Sequence, residues 1–237
     1  MTKTVTQSAK LIARCDEGGL HFRGSAFGDL ECERCVLSLR PSPRSVFEGC
    51  TFGSISAHEC TIWFPAFRSC VFRDVRADFL ACYGASFVEC VFEGVLNGIN
   101  FGFTPHALAT TRDVASQIYA ENRKMDESGA FAIDVRSALL ANVAFDGEDI
   151  VPRVIFRPGQ CLIYRSSGLH AKLRQLIESV PDQGLRMGLL PPVDPKQSVH
   201  LVTLDAGGAG ERVPELRRLV EQLGVEVLEE PLCELPA

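Results

Sequence analysis

The 237-residue chain carries 24 basic and 30 acidic residues, for a net charge of −6, and 46% of its residues are hydrophobic. This length suits one long domain or two short ones, and no apolar run reaches the length of a membrane span. Residues 1–8 contain no apolar secretory core, so we expect a cytoplasmic protein without membrane contact.

A five-residue repeat runs through the first hundred residues. Stepping by five from Phe22 to Phe92 gives fifteen positions, of which fourteen are apolar and eight are Phe. A second, mostly small series lies two residues earlier in each step, from Leu20 to Cys90. Neither a helix nor a simple strand places apolar residues at a period of five. The repeat therefore predicts a stacked, quasi-one-dimensional architecture with both series pointing inward.

The five-residue units are grouped in fours. Two kinds of residue recur every twenty positions, namely Phe27, Phe47, Phe67 and Phe87, and Cys50, Cys70 and Cys90. A coil of four such units would stack on the next coil at about the usual strand spacing of 4.8 Å. We therefore expect columns of Phe over Phe and of Cys over Cys along the axis.

Residues 17 to 103 resemble the pentapeptide-repeat family, whose loose consensus centres on a Leu or Phe among small and polar residues. The resemblance implies a right-handed, four-sided β-helix of about four coils over residues 1–105. The stretch from Arg40 to Pro43 departs from the pattern, because both inward positions there are polar, and we interpret it as a distorted side or corner. The family includes topoisomerase-protecting DNA mimics, but its fold does not define one function.

Seven of the ten cysteines fall in the two inward series, which predicts reduced, buried core thiols. Cys32 and Cys35 have the spacing of half a zinc knuckle, but no second ligand pair follows at a suitable distance. We therefore expect neither a metal nor another cofactor.

The charges disfavour nucleic acid as a partner. Residues 1–105 hold 10 basic and 11 acidic residues, so the repeat is nearly neutral. A DNA mimic needs a dense negative stripe, and a nucleic-acid binder needs a basic face. A mixed, solvated surface is the simpler interpretation.

Beyond Phe103 the repeat stops, and residues 106–237 are predicted to form a small α/β domain. Strands are indicated at 153–156, 160–164, 199–204 and 225–228, and 130–145 is ambiguous between helix and strand. Helices are indicated from Thr110, at 169–180 and at 213–223. The last strands and the helix between them suggest a parallel βαβ unit.

Candidate chemical sites in this second half are weak. The loop containing Gly207, Gly208 and Gly210 joins a strand to a helix and could hold an anion, although Glu211 follows it directly. His170 lies in the first turn of a predicted helix, where a surface role is the simpler interpretation. No arrangement of nucleophile, base and acid emerges, so we expect no enzyme activity.

Outward aromatic residues give the best functional indication. Trp63, Tyr83 and Phe103 are spaced by twenty, with Phe64 and Phe79 close by. Such an apolar patch is either covered by the chain's own later residues or forms a surface for a protein partner or a second copy of the chain. Because the repeat ends beside the patch, we favour coverage.

These features predict a non-catalytic protein-binding protein of bacterial type, such as an immunity or inhibitor protein that neutralises a toxin or enzyme. Two alternatives remain open. One is a topoisomerase-protecting DNA mimic, and the other is an enzyme whose site lies at 205–210 or around His170.

Overall fold

The computed structural model describes residues 4–5, 9–11, 14–15, 19–37, 43–102, 120–122, 124, 128–146, 150–165, 199–203, 218, 221–222, 227–228 and 231–233. Within these residues the chain is mainly β, and its parallel strands form a β-solenoid of about five turns. Helical structure among them is limited to residues 120–122, 124, 218 and 221 and the 3-10 turn Val151–Arg153.

The strands follow one another at short intervals along the chain. They are β1 (Thr4–Val5), β2 (Ala9–Leu11), β3 (Arg14–Cys15), β4 (His21–Arg23), β5 (Ala26–Phe27), β6 (Leu30–Glu33), β7 (Val36–Leu37), β8 (Val46–Glu48), β9 (Thr51–Phe52), β10 (Ile55–His58), β11 (Cys60–Trp63), β12 (Ala66–Arg68), β13 (Val71–Tyr83), β14 (Ser86–Val88), β15 (Cys90–Gly102), β16 (Ile133–Ala141), β17 (Ala144–Asp146), β18 (Val154–Ile155), β19 (Cys161–Arg165), β20 (Val199–Thr203) and β21 (Val227–Leu228).

Parallel pairing sorts the solenoid strands into four series. The first series is β4, β8, β12 and β14. The second joins β1, β5 and β9 to the starts of β13, β15 and β16. The third joins β2, β6 and β10 to the later parts of the same three long strands. The fourth joins β3, β7 and β11 to the end of β13, the end of β15 and β17.

The inward positions are those that the five-residue repeat predicts. Phe47, Phe52, Phe67, Phe72 and Phe87 are all buried and belong to one continuous apolar core. Successive coils place aromatic rings face to face, with centroids 5.1 Å apart for Phe47 and Phe67 and 4.7 Å apart for Phe52 and Phe72. Burial of a Phe side chain contributes about 1.5–3 kcal/mol, so these columns are a main source of stability for the solenoid.

The cysteine column is also present, since Cys50, Cys70 and Cys90 are buried free thiols. Each thiol donates to a carbonyl two residues earlier on its own coil, as Cys70 Sγ does to Arg68 O at 3.3 Å. A small side chain with a weak donor fits the inner corner, where a larger one would collide with the Phe columns.

One predicted column is wrong in its lowest member. Phe27 stacks on Phe52, and Phe22 stacks on Phe47, so Phe27 does not head the column of Phe47, Phe67 and Phe87. The reason is that the first complete coil is longer than the others. His21 pairs with Val46, twenty-five residues on, whereas Val46 pairs with Ala66, twenty residues on.

The extra length lies in one place. Leu37 pairs with Ile62, and Val46 pairs with Ala66. Leu37 and Val46 are nine residues apart in sequence, whereas their partners Ile62 and Ala66 are four apart. Residues 38–45, the first insertion, therefore contain five more residues than the matching part of the next coil. The expected irregularity between Arg40 and Pro43 falls in this insertion.

A second and longer insertion leaves the solenoid between the same two strand series. Asn100 pairs with Ala81 of the preceding coil. The Glu89 amide donates to Phe131 O in the same way as the Ser69 amide donates to Val88 O. Phe131 therefore occupies the position in its coil that Val88 occupies in the preceding one. Asn100 and Phe131 are 31 residues apart, whereas Ala81 and Val88 are seven apart. Residues 103–130, the second insertion, account for the difference.

The parallel series continue after the second insertion. β16 and β17 pair with β15, and Phe145 stacks on Phe101 with centroids 5.0 Å apart. The ambiguous stretch 130–145 is therefore strand. The division into domains at residues 105 and 106 stays a prediction, and the parallel series does not end at it.

Antiparallel strands follow the last coil. β19 pairs with β20 on one side and with β21 on the other, and β20 also pairs with β17 through Leu201 and Phe145. The predicted strands at 160–164, 199–204 and 225–228 are thus present, and β18 lies in the stretch 153–156. β20 and β21 run in the same direction, but β19 lies between them.

Side chains close the exposed edge of the last coil. Only Ile133 and Asp134 of β16 pair onward with β18. Beyond them, Gln160 Nε2 donates to the carbonyls of Val135 and Ala138, both at 2.8 Å, and Gln160 is fully buried. Arg157 Nη1 donates to the carbonyls of Arg136 and Ala138 at 2.6 and 2.9 Å. These two side chains satisfy acceptors that a further coil would otherwise take.

The predicted helices lie largely outside the described residues. Ala120–Asn122 and Lys124 are helical, within the helix expected to start near Thr110. Arg218 and Glu221 are helical within the one expected at 213–223, and the amide of Gln222 donates to Arg218 O at 3.0 Å. The helix expected at 169–180 lies outside the described residues. Within the described part of the chain, no helix has the length and apolar character that membrane crossing requires.

Candidate interaction site at the insertion edge

Both insertions leave the solenoid at the edge between the fourth and first strand series. We call this the insertion edge and define it by Arg44, Trp63, Phe64, Tyr83 and Gly84. Trp63 and Tyr83 end matching strands of neighbouring coils and pair in register. Their ring centroids are 4.9 Å apart at an interplanar angle of 45°, and both side chains are half-buried. This places an aromatic pair on the outside of the solenoid, where strand alternation would otherwise favour polar side chains.

The Trp63 indole is held in place by its own strand. Its Nε1–H donates to Thr61 Oγ1 at 3.0 Å, two residues earlier on the same outward face. The indole donor is thus satisfied within its own strand, and the side chain is half-buried. Such amphipathic aromatic side chains are common anchors of protein interfaces.

Phe64 occupies the corner itself and is only 1% exposed. Its φ of +58° is the left-handed conformation, which costs a bulky residue about 1–2 kcal/mol. Its amide donates to Tyr83 O at 2.9 Å, and its ring lies 5.8 Å from Trp63. The ring lies outside the solenoid core, so its burial requires material on the outer side of the corner.

Arg44 of the first insertion supplies part of that material. Its Nη2 donates to the carbonyls of Pro65 and Gly84 at 3.0 and 3.2 Å, and its Nη1 donates to Asn122 Oδ1 at 2.5 Å. Asn122 is 5% exposed, and its Nδ2 donates to Gly84 O at 3.3 Å. One arginine thus connects three turns of the solenoid to the second insertion.

The end of the second insertion also lies against the solenoid. A Cβ built on Gly129 would lie 2.5 Å from Val88 Cγ1, so only glycine fits there without a shift of its neighbours. Glu89 Oε1 accepts from the Ala130 amide at 3.2 Å, and Arg153 Nη2 donates to Gly129 O at 3.0 Å. Outward residues Ala66, Ser86 and Val88 are consequently buried.

Several charged side chains elsewhere on the described outer surface are balanced by contacts between coils. Arg23 pairs with Glu48 at 3.2 Å, Arg34 with Glu59 at 3.0 Å and Arg73 with Glu93 at 3.0 Å. Each pair links one coil to the next, and all of these side chains are substantially exposed. Exposed pairs of this kind contribute about 0–1 kcal/mol each, so they act mainly on surface charge and register.

Asp78 is an acidic group on this surface with several partners. It accepts from the amides of Glu59 and Phe79 at 3.0 and 2.7 Å and pairs with His58 Nδ1. The Glu59 amide, followed by the Phe79 amide and His58, holds the pKa of the Asp78 carboxyl below its usual value. The group acts as a corner acceptor, which does not require catalytic chemistry.

Two thiols of the solenoid, those of Cys82 and Cys32, have strongly raised pKa values. Burial raises the pKa of Cys82 to about 12, and burial together with the neighbouring Cys35 and Cys60 raises the pKa of Cys32 to about 12. A thiol with a raised pKa is a poor nucleophile and a poor metal ligand. Cys32 and Cys35 are half-buried, unlike the fully buried Cys60. Within the described residues, no group of three or more His, Cys, Asp or Glu side chains is placed to bind a metal ion.

The structure brings together three of the aromatic residues that the sequence suggested, namely Trp63, Phe64 and Tyr83. Phe79 lies elsewhere, since it is 52% exposed beside Asp78 and has no ring contact with these three in the described part of the chain. Phe103 and the loop glycines Gly207, Gly208 and Gly210 lie outside the described residues, as does His170.

Sequence reasoning missed Arg44 and Asn122. Arg44 follows the Arg40–Pro43 irregularity, and Asn122 is a polar residue inside a predicted amphipathic helix. The break in the twenty-residue grouping is the signal that could have directed attention to Arg44. Nothing in the local sequence indicates that Asn122 is its partner.

Comparisons with protein-family models, with curated proteins and with solved structures find no match for this chain. Its function must therefore be argued from the geometry of the molecule itself.

Proposed function

We propose that this chain is a non-catalytic binding protein whose interface with a protein partner is the insertion edge. The observation that carries the proposal is that the two long insertions into the coils occur between the same two strand series, whereas the register shifts within β13 and β15 amount to one or two residues. In repeat architectures, insertions that map to one face often mark the binding face. Here the same edge also bears the half-exposed pair Trp63 and Tyr83.

The proposed architecture is a right-handed, four-sided solenoid similar to that of the pentapeptide-repeat family. Four parallel strand series, the five-residue repeat and the inward Phe and Cys columns support it. Left-handed residues recur at matched positions of successive coils, as Gly24, Gly49, Ser69 and Glu89 do, which is what sharp corners between flat sides require. The remainder of the chain is proposed to form an α/β unit.

Such a rigid scaffold with one aromatic edge suits an immunity or inhibitor protein of bacterial type, located in the cytoplasm, that covers a site on a toxin or enzyme. Rigid aromatic anchors lose little conformational entropy on binding, which favours tight association at a small contact. A second copy of the chain is the other protein partner that the same edge could accept.

The charge arrangement disfavours the DNA-mimic alternative. Acidic residues do gather beside the third strand series, at Asp29, Glu31, Glu33, Glu59, Asp74 and Asp78. Arg34, His58 and Arg76 interrupt them and pair with Glu59, Asp78 and Asp74. A continuous phosphate-like stripe would not carry basic residues between its charges. The alternative enzyme site, at 205–210 or His170, has no described geometry to support it.

Affinity capture from a native lysate with the full chain tests the proposal. Trp63→Ala and Tyr83→Ala should each remove the captured partner, because they delete the aromatic anchors. Phe79→Ala is the matched control, since it removes an exposed aromatic residue away from the insertion edge and should leave capture unchanged. A captured toxin or enzyme whose activity the chain inhibits would support the immunity function.

Equal loss of the partner with Phe79→Ala, or full retention with Trp63→Ala and Tyr83→Ala, would contradict the assignment of the interface. The melting temperatures of all three variants should stay close to that of the unmodified chain, because half-exposed side chains contribute little to the core.

A further inference from the structure

Arg44 links distant parts of the described chain. It is 78 residues from Asn122 in sequence, and their side chains form the described hydrogen bond that joins the first insertion to the second. The same guanidinium reaches the backbone of two successive coils through Pro65 O and Gly84 O. The fork geometry of arginine allows these bonds to be made at once, which a lysine could not reproduce.

Asn122 completes the arrangement from the other side. Its amide oxygen accepts from Arg44 while its amide nitrogen donates to Gly84 O, so both ends of the side chain are used. Gly84 directly follows Tyr83 and therefore lies beside the aromatic pair. The helical residues on either side of Asn122 are more exposed: Ala120 and Lys124 are exposed, and Glu121 is half-exposed. The insertion thus presents outer side chains while Asn122 fixes it from beneath.

We propose that Arg44 is a positioning residue for the binding edge. It fixes residues 120–122 and 124 of the second insertion against the corner formed by Phe64 and Gly84, and so sets the outer side chains of these residues in place beside Trp63 and Tyr83. This inference rests on the proposed function for its biological meaning, but the positioning itself is a property of the free chain.

The role is separable from stability of the core. Phe64, Ala66, Ala81 and Val88 are buried outside the continuous apolar core, so they report on coverage of the edge and not on packing of the lumen. Loss of Arg44 should therefore release the insertion locally, while the stacked Phe columns remain intact.

Hydrogen exchange of the full-length chain tests this directly. Hydrogen bonds to charged groups contribute about 1.5–3 kcal/mol, which corresponds to about a 10- to 100-fold change in a local opening equilibrium. In Arg44→Ala, the amides of residues 120–122 should exchange faster by about that factor. The amide of Phe72, in the solenoid core, should change less than twofold. Acrylamide should also quench Trp63, the only tryptophan, more efficiently.

A double-mutant cycle separates positioning from a general structural effect. Asn122→Ala should reproduce the local effect of Arg44→Ala, and the double variant should add little, because the two side chains act as one unit. Arg44→Lys should recover only part of the protection. Arg23→Ala, which removes an arginine that is 83% exposed, is the matched control and should leave exchange at 120–122 unchanged.

Uniformly faster exchange across the core in Arg44→Ala, or unchanged exchange at residues 120–122, would overturn the positioning role. Additive effects of the two single substitutions would also contradict it. Capture of a partner by the same variants tests the proposed function and does not test the positioning role. If Arg44→Ala loosens the segment but Trp63→Ala retains the partner, the positioning role stands and the proposed interface fails.

Discussion

Phe27 stacks on Phe52 with ring centroids 4.9 Å apart and an interplanar angle of 9°, although the two residues are twenty-five positions apart. Phe52 stacks on Phe72 with nearly the same geometry at a separation of twenty. The extra length of the first coil is thus one whole five-residue unit. Because the unit matches the period of the repeat, the inward positions on both sides of it stay in phase.

Deletion of residues 38–42 should consequently be tolerated. It would convert the twenty-five-residue coil to twenty residues and leave every inward position in phase, so we expect a cooperative unfolding transition with a modest loss of stability. Deletion of residues 55–59 is the matched control, since it removes β10 and leaves a coil of fifteen residues, which should not fold. Urea melts of the two variants measure the difference, and similar losses would refute a five-residue insertion.

The Phe columns should dominate the stability of the solenoid. Phe72 is 7% exposed and stacks on Phe52 at 4.7 Å and on Phe92 at 4.6 Å. Phe72→Ala should cost about 3–5 kcal/mol through lost contacts and a residual cavity. Arg73→Ala, next in sequence but outward and exposed, should cost about 1 kcal/mol or less. Denaturant melts that gave equal losses would show that the assigned register is wrong.

Gly98 should be replaceable only at high cost. Its φ is +72°, and a Cβ at this position would lie 2.0 Å from the carbonyl oxygen of Ala77 on the preceding coil. Gly24 has a φ of +57° but open space around its Cβ position. Both substitutions by Ala incur the left-handed penalty of about 1–2 kcal/mol, and Gly98→Ala should cost about 2 kcal/mol more because the coils must separate. Comparable melting temperatures of the two variants would argue against the close approach.

The buried thiol of Cys82 should make stability fall in alkaline solution. Burial raises its pKa in the folded chain from 9.0 to about 12. The folded state therefore retains a proton that the unfolded state releases above about pH 9, so this contribution is complete below pH 9 and is lost as pH rises toward 12. The slope is about 1.4 kcal/mol per pH unit for one such thiol.

Substitution of Cys82 isolates this effect. Cys82→Ala should be less stable than the unmodified chain at pH 7.5, and the gap should narrow between pH 9 and 11. Ile62→Val is the matched control, since Ile62 pairs with Cys82 in the neighbouring coil and carries no titratable group. Its stability gap should be independent of pH, and urea midpoints at each pH provide the measurement.

The solenoid could be predicted from sequence because its core repeats locally. Each inward Phe or Cys is identified by its distance from the previous one, and that distance reflects the length of one side of a coil. The C-terminal strands were also recognisable, since apolar runs such as Val199–Thr203 are bounded by turn residues. Their antiparallel pairing was not, because pairing partners far apart in sequence leave no periodic signal.

The insertion edge was only half predictable. The spacing of Trp63 and Tyr83 indicated an outward aromatic pair, and the pair is present. Phe64 was expected beside them on the surface. Its backbone is left-handed instead, and its ring is buried at the corner. The bond between Arg44 and Asn122 depends on a contact across 78 residues, and only three-dimensional structure brings such residues together.

Gln160 and Arg157 end the solenoid with side chains where another strand could lie. Association at the edge of a coil is head-to-tail. A strand that adds to this edge exposes an equivalent edge on its other side, to which a further strand can add. Such a contact has no symmetry that closes it, and repeated addition therefore gives a filament of unlimited length. By occupying these carbonyls, the buried Gln160 and the half-buried Arg157 oppose the addition of a further coil and so disfavour such a filament.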